Sequence, residues 1–567
     1  PRLEPVSWQD AQNLVATRVR ERTQPWAMLV NPSETSNEGL FCLKRLADAG
    51  DTPHIDLLED AGSRLVGSVL QWTTGLEAAT CTLQDIPGAD LVVLWGTGLH
   101  RHPFLSRLIA LARQRGARVV AVGPVREPEF DGVWLPGEIG ATLFGARLVD
   151  EHALVAGGGD RHLAWGILKA LSEFGGLAAS YLERRVAGWA RITPHLRSLR
   201  WTDLKAGSGL SAHEIRHIAR VFAGARKSVL LLGSALGRGP DGTKTVGDIL
   251  TLALGRGWIG TPGSGVIPLD GSPGLRGARD MGLGPDLGDR GGWKRDEIVE
   301  AATKGDLGLL HVVGEGLADR LPPASPDALA ALPVRVHQGH FLDPSMLLEP
   351  GELSLILPAQ SRFEQRGGGT TTAVDRRVRF SPEILGHPIG EARPDWQIAA
   401  QIQRLMEPDR TMDFYPLDGA AVRERIAADV PHYAGVERLH APGDAIVWGG
   451  PTLHREAFAT DDGRARVPPV DPPALPRPGI RLTTRRTGPE RNAVHVCDDL
   501  AGRLGFKDGD AVRLRTEWGE LDGVIRIGPV ADDVAHTYWP EGRGLFPHGP
   551  HAGRAAGSPL VVHLEAP

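Results

Sequence analysis

Cysteine is almost missing from this chain. Cys42, Cys81 and Cys497 are the only three in 567 residues, and no two form a CxxC pair. That excludes a cysteine-type zinc site and leaves no iron–sulfur cluster within this chain. An odd, sparse set also argues against the disulfide framework of a secreted domain. No apolar run reaches the roughly 18 residues of a spanning helix, and the N-terminus lacks the charged-then-apolar pattern of a leader. Membrane insertion is therefore not expected, and the location expected is cytoplasmic. Nor is there an excess of positive charge: 63 Lys and Arg stand against 69 Asp and Glu, a net charge of −6. Such a balance gives no electrostatic footprint for a nucleic-acid partner. Because the chain opens at Pro1 rather than Met, further residues are expected to precede it.

What is abundant is glycine, 72 residues, much of it directly after short apolar runs. These runs are ADLVVLWGTG (89–98), ARVVAVGPV (117–125), KSVLLLGSALG (227–237), LGLLHVVGEG (307–316), VRVHQGH (334–340) and LSLILPAQ (353–360). Short Val- and Leu-rich runs that stop at turns read as strands buried on both faces. Helical spacing marks 102–116, closed by Gly116, and 245–257. Strand–helix alternation on this scale predicts an α/β protein with more than one doubly wound parallel sheet, whose ligands sit at the C-terminal strand ends. A proline-rich connector, DDGRARVPPVDPPALPRP, fills 461–478, and short strands without long helices follow over 479–567, a separate β-barrel-like domain.

Several motifs have plainer readings. HEIRH (213–217) matches the zinc-protease pattern, but Ser211 reads as the N-cap of a surface helix and no third ligand follows. GRGPDGTKT (237–245) misses the P-loop register by one residue, and GTPGSG (260–265) misspaces the serine-hydrolase elbow. His100 and His102 read as polar loop residues at a strand end, and YLERR and the RRVR run at 376–379 as solvated charge. By contrast, the repeated glycine turns GTG (96–98) and GEG (314–316) suit a ligand with several phosphates, since bare backbone N–H groups can reach its oxygens. The glycine- and arginine-rich stretch Leu275–Gly282 reads as a loop approaching that ligand.

The ordered set PVSWQDA, NPSETSNEGLFCLKRLA, ADLVVLWGTGLHRHP, GWIGTPGSGV…LRGARDMG, VHQGHF…LILPAQSRFEQRGGGTTTAVDRRVRFSPE and LTTRR…DGDAVRLRTEWGEL…WPEG resembles the molybdopterin oxidoreductases, in particular formate dehydrogenase alpha subunits. The resemblance implies two α/β domains, each holding one arm of a bis-molybdopterin guanine dinucleotide with Mo or W, closed by a C-terminal double-psi β-barrel. It places one domain at 1–55 with 271–410, the other at 56–270, a connector at 411–478 and the barrel at 479–567. Carried over by position, the cofactor-binding residues are Gly96, Thr97, Gly98, His102, Gly123, Pro124, Arg126, Pro136, Gly137, Gly233, Ser234, Gly277, Arg279, Gly314, Glu315, Gln338, Thr484, Arg485 and Glu541. Pyrophosphate calls for backbone N–H and Arg, and a guanine edge for a carboxylate or amide. The resemblance also implies a two-electron reaction, formate being the family's default substrate, and a separate iron–sulfur or flavin subunit to take the electrons.

Two departures stand out. The family's metal-ligating cysteine would fall near Ala61–Gly62, where there is none. Its substrate-holding arginine aligns with Asp270, whose charge would repel formate. The family's N-terminal cluster-binding cysteines are absent from this sequence too, either because they lie upstream of Pro1 or because the protein has none. The expectation is a metal centre without a protein ligand, or the same fold kept as a structural subunit of a redox complex.

Overall fold

A computed structural model describes every residue except 1–2, 59–60, 101, 135–144, 239–240, 288–289, 318–324, 350, 385, 387–388, 408–412, 476–477, 486–489, 540 and 547–559. The chain divides into two compact units. Pro1–Asp60 with Ser272–Gly449 make up most of unit 1; Ala61–Gly271 with Gly450–Pro547 make up most of unit 2.

Unit 2 holds a parallel sheet of strands Leu91–Trp95, Arg118–Gly123, Glu151–Leu154, Ser228–Gly233 and Gly265–Leu269. Numbered within the unit, their order is 3-2-1-4-5. Every residue of Leu91–Trp95 and Ser228–Gly233 is buried, because helices cover both sheet faces. One covering helix, Ala212–Gly224, turns Ile215, Ile218, Ala219 and Phe222 inward, where each such side chain adds about 1.5–3 kcal/mol. Ser211 caps that helix with Glu214 in a reciprocal capping box, which satisfies the first-turn N–H groups.

Unit 1 holds a second parallel sheet: Trp26–Val30, Ile55–Leu57, Leu309–Val313, Val334–Gly339 and Leu353–Pro358, in the order 2-1-3-4-5. Its central strands Trp26–Val30 and Leu309–Val313 are wholly buried. A smaller antiparallel sheet, Gly369–Thr372, Arg377–Ser381 and Ala445–Val447, adjoins it within the unit.

The C-terminal region closes into a six-stranded barrel of Ile480–Arg485, Ala493–Val496, Ala511–Arg515, Glu520–Ile527, Val534–Tyr538 and Val561–Glu565. The fold class read from sequence thus holds: two doubly wound parallel sheets and a barrel. Among the described residues, no helix is long and apolar enough to cross a membrane.

Two readings need correction. Leu275–Asp280 is a short helix, not a loop. Its Gly277 is required by packing: a Cβ there would come 2.2 Å from Asn37 Oδ1 on helix Asn37–Ala49. Arg376 is not solvated charge but fully buried, donating to the Trp448 carbonyl from a backbone with φ +68°.

Candidate functional site

In an open parallel sheet, ligands bind where strand order reverses, beyond the C-terminal strand ends. In unit 2 that point lies between Leu91–Trp95 and Ser228–Gly233. Gly96, at φ +66°, leaves the first strand in a conformation that suits glycine. A Cβ on Gly233 would lie 2.0 Å from the Gly96 carbonyl oxygen and 2.8 Å from Thr97 Cβ. Gly96, Thr97, Gly233 and Ser234 are therefore brought into one tight cluster. Gly98 follows, packed near Glu127, and His102 is buried with its ring edge-on to Phe104.

Gly62 and Asp270, the positions where the resemblance leads one to expect a cysteine and an arginine, lie at this same edge. Gly62, in helix Ala61–Thr74, packs so closely that a Cβ would meet the Ser234 carbonyl oxygen at 1.9 Å. No side-chain ligand fits at that position without moving the strand end. Asp270 follows strand Gly265–Leu269, and the next amide, Gly271 N–H, donates to Ser63 Oγ at 3.0 Å.

The barrel is stitched to the neighbouring strand end. Arg126 N–H donates to the Pro529 carbonyl at 3.0 Å, and Ala531 N–H to the Pro124 carbonyl at 2.8 Å. Gly123 has open space where a Cβ would stand. Arg126 grips Asp131 through two bonds, 2.6 and 2.8 Å, which holds the Asp131 carboxyl below its usual range. Arg485 reaches Glu127 and Glu129. Burial pushes the Glu127 carboxyl up, with Arg485 opposing. Thr484 lies beside Gly542, the residue after Glu541, and Glu541 pairs with Arg491 at 3.6 Å. Pro136 and Gly137 lie outside the described residues.

Unit 1 reverses strand order between Trp26–Val30 and Leu309–Val313. Gly314 and Glu315 leave the latter, and Asn31 leaves the former. Asn31 Nδ2 donates to the Glu315 carbonyl at 2.9 Å and to Glu34 Oε1 at 2.8 Å. Glu315 Oε1 accepts from His340 N–H and Phe341 N–H at 2.5 and 2.6 Å. Gln338 is fully buried, and both ends of its amide are engaged: Nε2 donates to Asp395 at 2.6 Å, and Oε1 lies 3.2 Å from His311 Nε2. Gly277 and Arg279 lie on the short helix instead, with buried Arg279 held by Asp286 at 2.8 Å. The structure thus gathers Gly314 and Glu315 at the reversal point and leaves Gly277 and Arg279 on a packing helix.

The residues present fit a phosphate-bearing dinucleotide best at the unit 2 edge. There the glycines let backbone come close, and Gly123 leaves room. Sequence reading missed Glu34 and His340. Their partner Glu315 is far away in sequence, and each is recognisable only as a residue that follows a buried strand.

The plainer motif readings also have structural grounds. His213 and His217 are exposed on their helix, and His217 Nε2 lies 3.1 Å from Glu151. Lys244 pairs with Asp471 at 2.5 Å in the first turn of helix Gly242–Gly255. Ser264 is buried, its hydroxyl oxygen accepting from Ser228 N–H.

The chain is 23% identical to the alpha subunit of formate dehydrogenase 2 of Methanococcus maripaludis, across 92% of this chain and 82% of that subunit. It is 24% identical to formate dehydrogenase H of Escherichia coli, across 92% and 79%. Its fold superposes on acetylene hydratase from Pelobacter acetylenicus with a TM-score of 0.72 at 12% identity, covering all of this chain and 90% of that one. The sequence model of the molybdopterin oxidoreductases matches residues 2–320, more than half the chain, so with two glycine-edged parallel sheets and a closing barrel this protein belongs to the molybdopterin oxidoreductase family.

Proposed function

We propose that this chain is a formate dehydrogenase-like oxidoreductase subunit that binds a bis-molybdopterin guanine dinucleotide carrying Mo or W. The observation that carries the reading is the Gly96–Thr97 and Gly233–Ser234 cluster at the strand-order reversal of unit 2. Glycine there lets the main chain come close to phosphate oxygens. Gly98, His102, Gly123, Pro124 and Arg126 extend that cradle, and Thr484, Arg485 and Glu541 reach it from the barrel. The second arm goes to unit 1, with Gly314 and Glu315 at its reversal point and Gly277, Arg279 and Gln338 as supporting groups. When bound, the group supplies a two-electron redox centre. The protein contributes no metal ligand from position 62, where a side chain would overlap the Ser234 carbonyl. The substrate differs from formate in charge or in how it is held, because Asp270 stands in place of the anion-steadying arginine. Electrons leave to an iron–sulfur or flavin subunit, and the setting is cytoplasmic.

Gly62 and Asp270 favour one other reading, a structural subunit that has kept the fold and lost the chemistry. Purified full-length chain from a cofactor-competent host separates the two. The expected result is stoichiometric Mo or W with fluorescent oxidised pterin, and no formate-dependent dye reduction, either in the wild type or in Asp270→Arg. A chain free of both metal and pterin establishes the structural role instead. Rapid formate-dependent reduction by the wild type overturns the substrate argument.

A further inference from the structure

Charge is spread unevenly along this chain. Its net charge is −6, yet residues 184–227 hold ten Lys and Arg against two Asp and Glu, a local excess of +8. That stretch folds largely into the end of helix Ala179–Arg185 and helices Ile192–Ser198, Trp201–Ser208 and Ala212–Gly224 of unit 2. Arg184, Arg191, Arg197, Lys205 and Arg220 are exposed, and among the described residues none of the five forms an ion pair.

Three of these helices meet on helix Asp160–Glu173 and so share one surface. Lys169 Nζ donates to the Leu196 carbonyl at 3.2 Å, and Glu173 Oε1 accepts from Trp201 Nε1 at 3.1 Å. Arg216 reaches Glu173 at 3.8 Å, and its guanidinium carbon lies 4.1 Å from the Trp201 ring centre. Arg220 stands one helical turn beyond Arg216, and Arg197 is next to Leu196. The result is a layer of arginines about a half-buried tryptophan, two residue types enriched where protein surfaces bind each other. The arginine fork also grips a carboxylate through two bonds at once. Like charges left side by side repel, so an acidic cover stabilises this layer.

Unit 1 carries the complement. Its residues 296–352 hold ten Asp and Glu against three Lys and Arg. Helices Arg295–Lys304 and Ser325–Ala330 pack over one apolar cluster, with Ile298, Ala301, Ala328 and Leu329 inside. Outward, these helices and the turn after the first expose Asp296, Glu297, Glu300, Asp306 and Asp327. Two other covers fit the basic layer less well. Residues 184–227 have no large exposed apolar side chain to anchor in a bilayer. A nucleic acid is a long polyanion, which the chain's overall charge repels.

We propose that this basic helical layer is an interface with a second copy of the chain, seated on the acidic helices of that copy's unit 1. Each copy supplies one surface of each sign, so a two-fold pairing satisfies both contacts at once and closes as a dimer. Exposed charges carry the attraction, and salt therefore weakens it. The inference stands on surface charge and not on the pterin reading.

The test is sedimentation velocity of the full-length chain at micromolar concentration, in low and in high salt. Expected are a dimer in low salt and a dissociation constant at least about tenfold weaker in high salt. Arg197→Glu with Arg220→Glu reverses the basic layer, and Glu300→Lys with Asp306→Lys reverses the acidic helices. Each double variant alone should stay monomeric in low salt. An equimolar mixture of the two should dimerise again, because the reversed surfaces match each other, a rescue that misfolded chains could not give. Circular dichroism establishes that each is folded. Arg184→Glu with Arg191→Glu replaces the first if it is not, and Asp296→Lys with Asp327→Lys the second. A monomeric wild type in low salt, a dimer that withstands both reversals, or a mixture that stays monomeric overturns the proposal. If a monomeric wild type binds a labelled oligonucleotide through the same arginines, the layer belongs to nucleic acid instead.

Discussion

The two parallel sheets reverse strand order at equivalent places, yet the two edges are built from different material. In unit 2 the edge is backbone against backbone: Gly233 against the Gly96 carbonyl, Gly62 against the Ser234 carbonyl. In unit 1 it is a network of side chains, Asn31, Glu34, Glu315, His340, Gln338 and Asp395. The first edge can bring main-chain donors to an extended anion. The second can orient individual acceptors around a cation or a polar ring. One topology thus yields two kinds of binding surface, depending on whether bare main chain or polar side chains crowd the turns after the strands.

The largest expected effect comes from adding one methyl group to each edge. Gly233→Ala drives a Cβ to 2.0 Å from a main-chain oxygen, which cannot swing away. A loss of about 3 kcal/mol, at the upper end of overpacking costs, is expected from urea unfolding. Gly339→Ala in unit 1 meets instead Glu315 Oε1 at 2.7 Å, a side-chain atom that can shift at the expense of its bonds from His340 and Phe341 N–H. It should cost less, about 1–2 kcal/mol. Equal losses in the two variants would erase the distinction drawn between the edges.

Acid tests the barrel that joins the unit 2 edge. His536 is buried, accepts or donates a bond with Thr483 at 3.0 Å, and burial pulls its pKa down to about 3. Its unfolded value is near the ordinary 6.5. The folded pKa is the lower one, so the unfolded state binds the proton first. The contribution is intact above pH 6.5 and is lost as pH falls toward 3, by about 1.4 kcal/mol per pH unit. His536→Asn, which keeps a polar partner for Thr483 but does not titrate, should melt with a shallower dependence on pH between 6 and 4. A slope parallel to wild type in thermal melts would mean that His536 is not held neutral.

The smallest effect lies away from both edges. Ser211→Ala removes the capping bond to Glu214 N–H, 3.2 Å long, and should cost about 1 kcal/mol without changing bound metal. Lost metal in that variant would revive a role for the HEIRH helix.

Six of the ten parallel strands are legible as apolar runs ending at turns, because burial on both faces demands continuous Val and Leu. The other four are hidden for local reasons. Ile55–Leu57 has three residues, Glu151–Leu154 is a partly exposed edge strand, Gly265–Leu269 carries Pro268, and Trp26–Val30 follows a proline. The helix at Leu275–Asp280 was obscured by the glycines on either side of it, of which Gly274 has φ +76° and sits against the Pro32 carbonyl. Arg376 reads as surface charge because nothing local announces the Trp448 carbonyl that takes its guanidinium.

By itself, then, the sequence determined the α/β class, the barrel, the family and the glycine turns, since each depends on residues adjacent in the chain or in fixed order along it. Tertiary structure alone decided which turns meet. Gly96 and Gly233 converge because parallel strands place their C-terminal ends on one side of a sheet, and Gly62 meets Ser234 there from helix Ala61–Thr74. Glu34, Glu315 and His340 converge for the same reason, across more than three hundred residues that no local pattern could bridge.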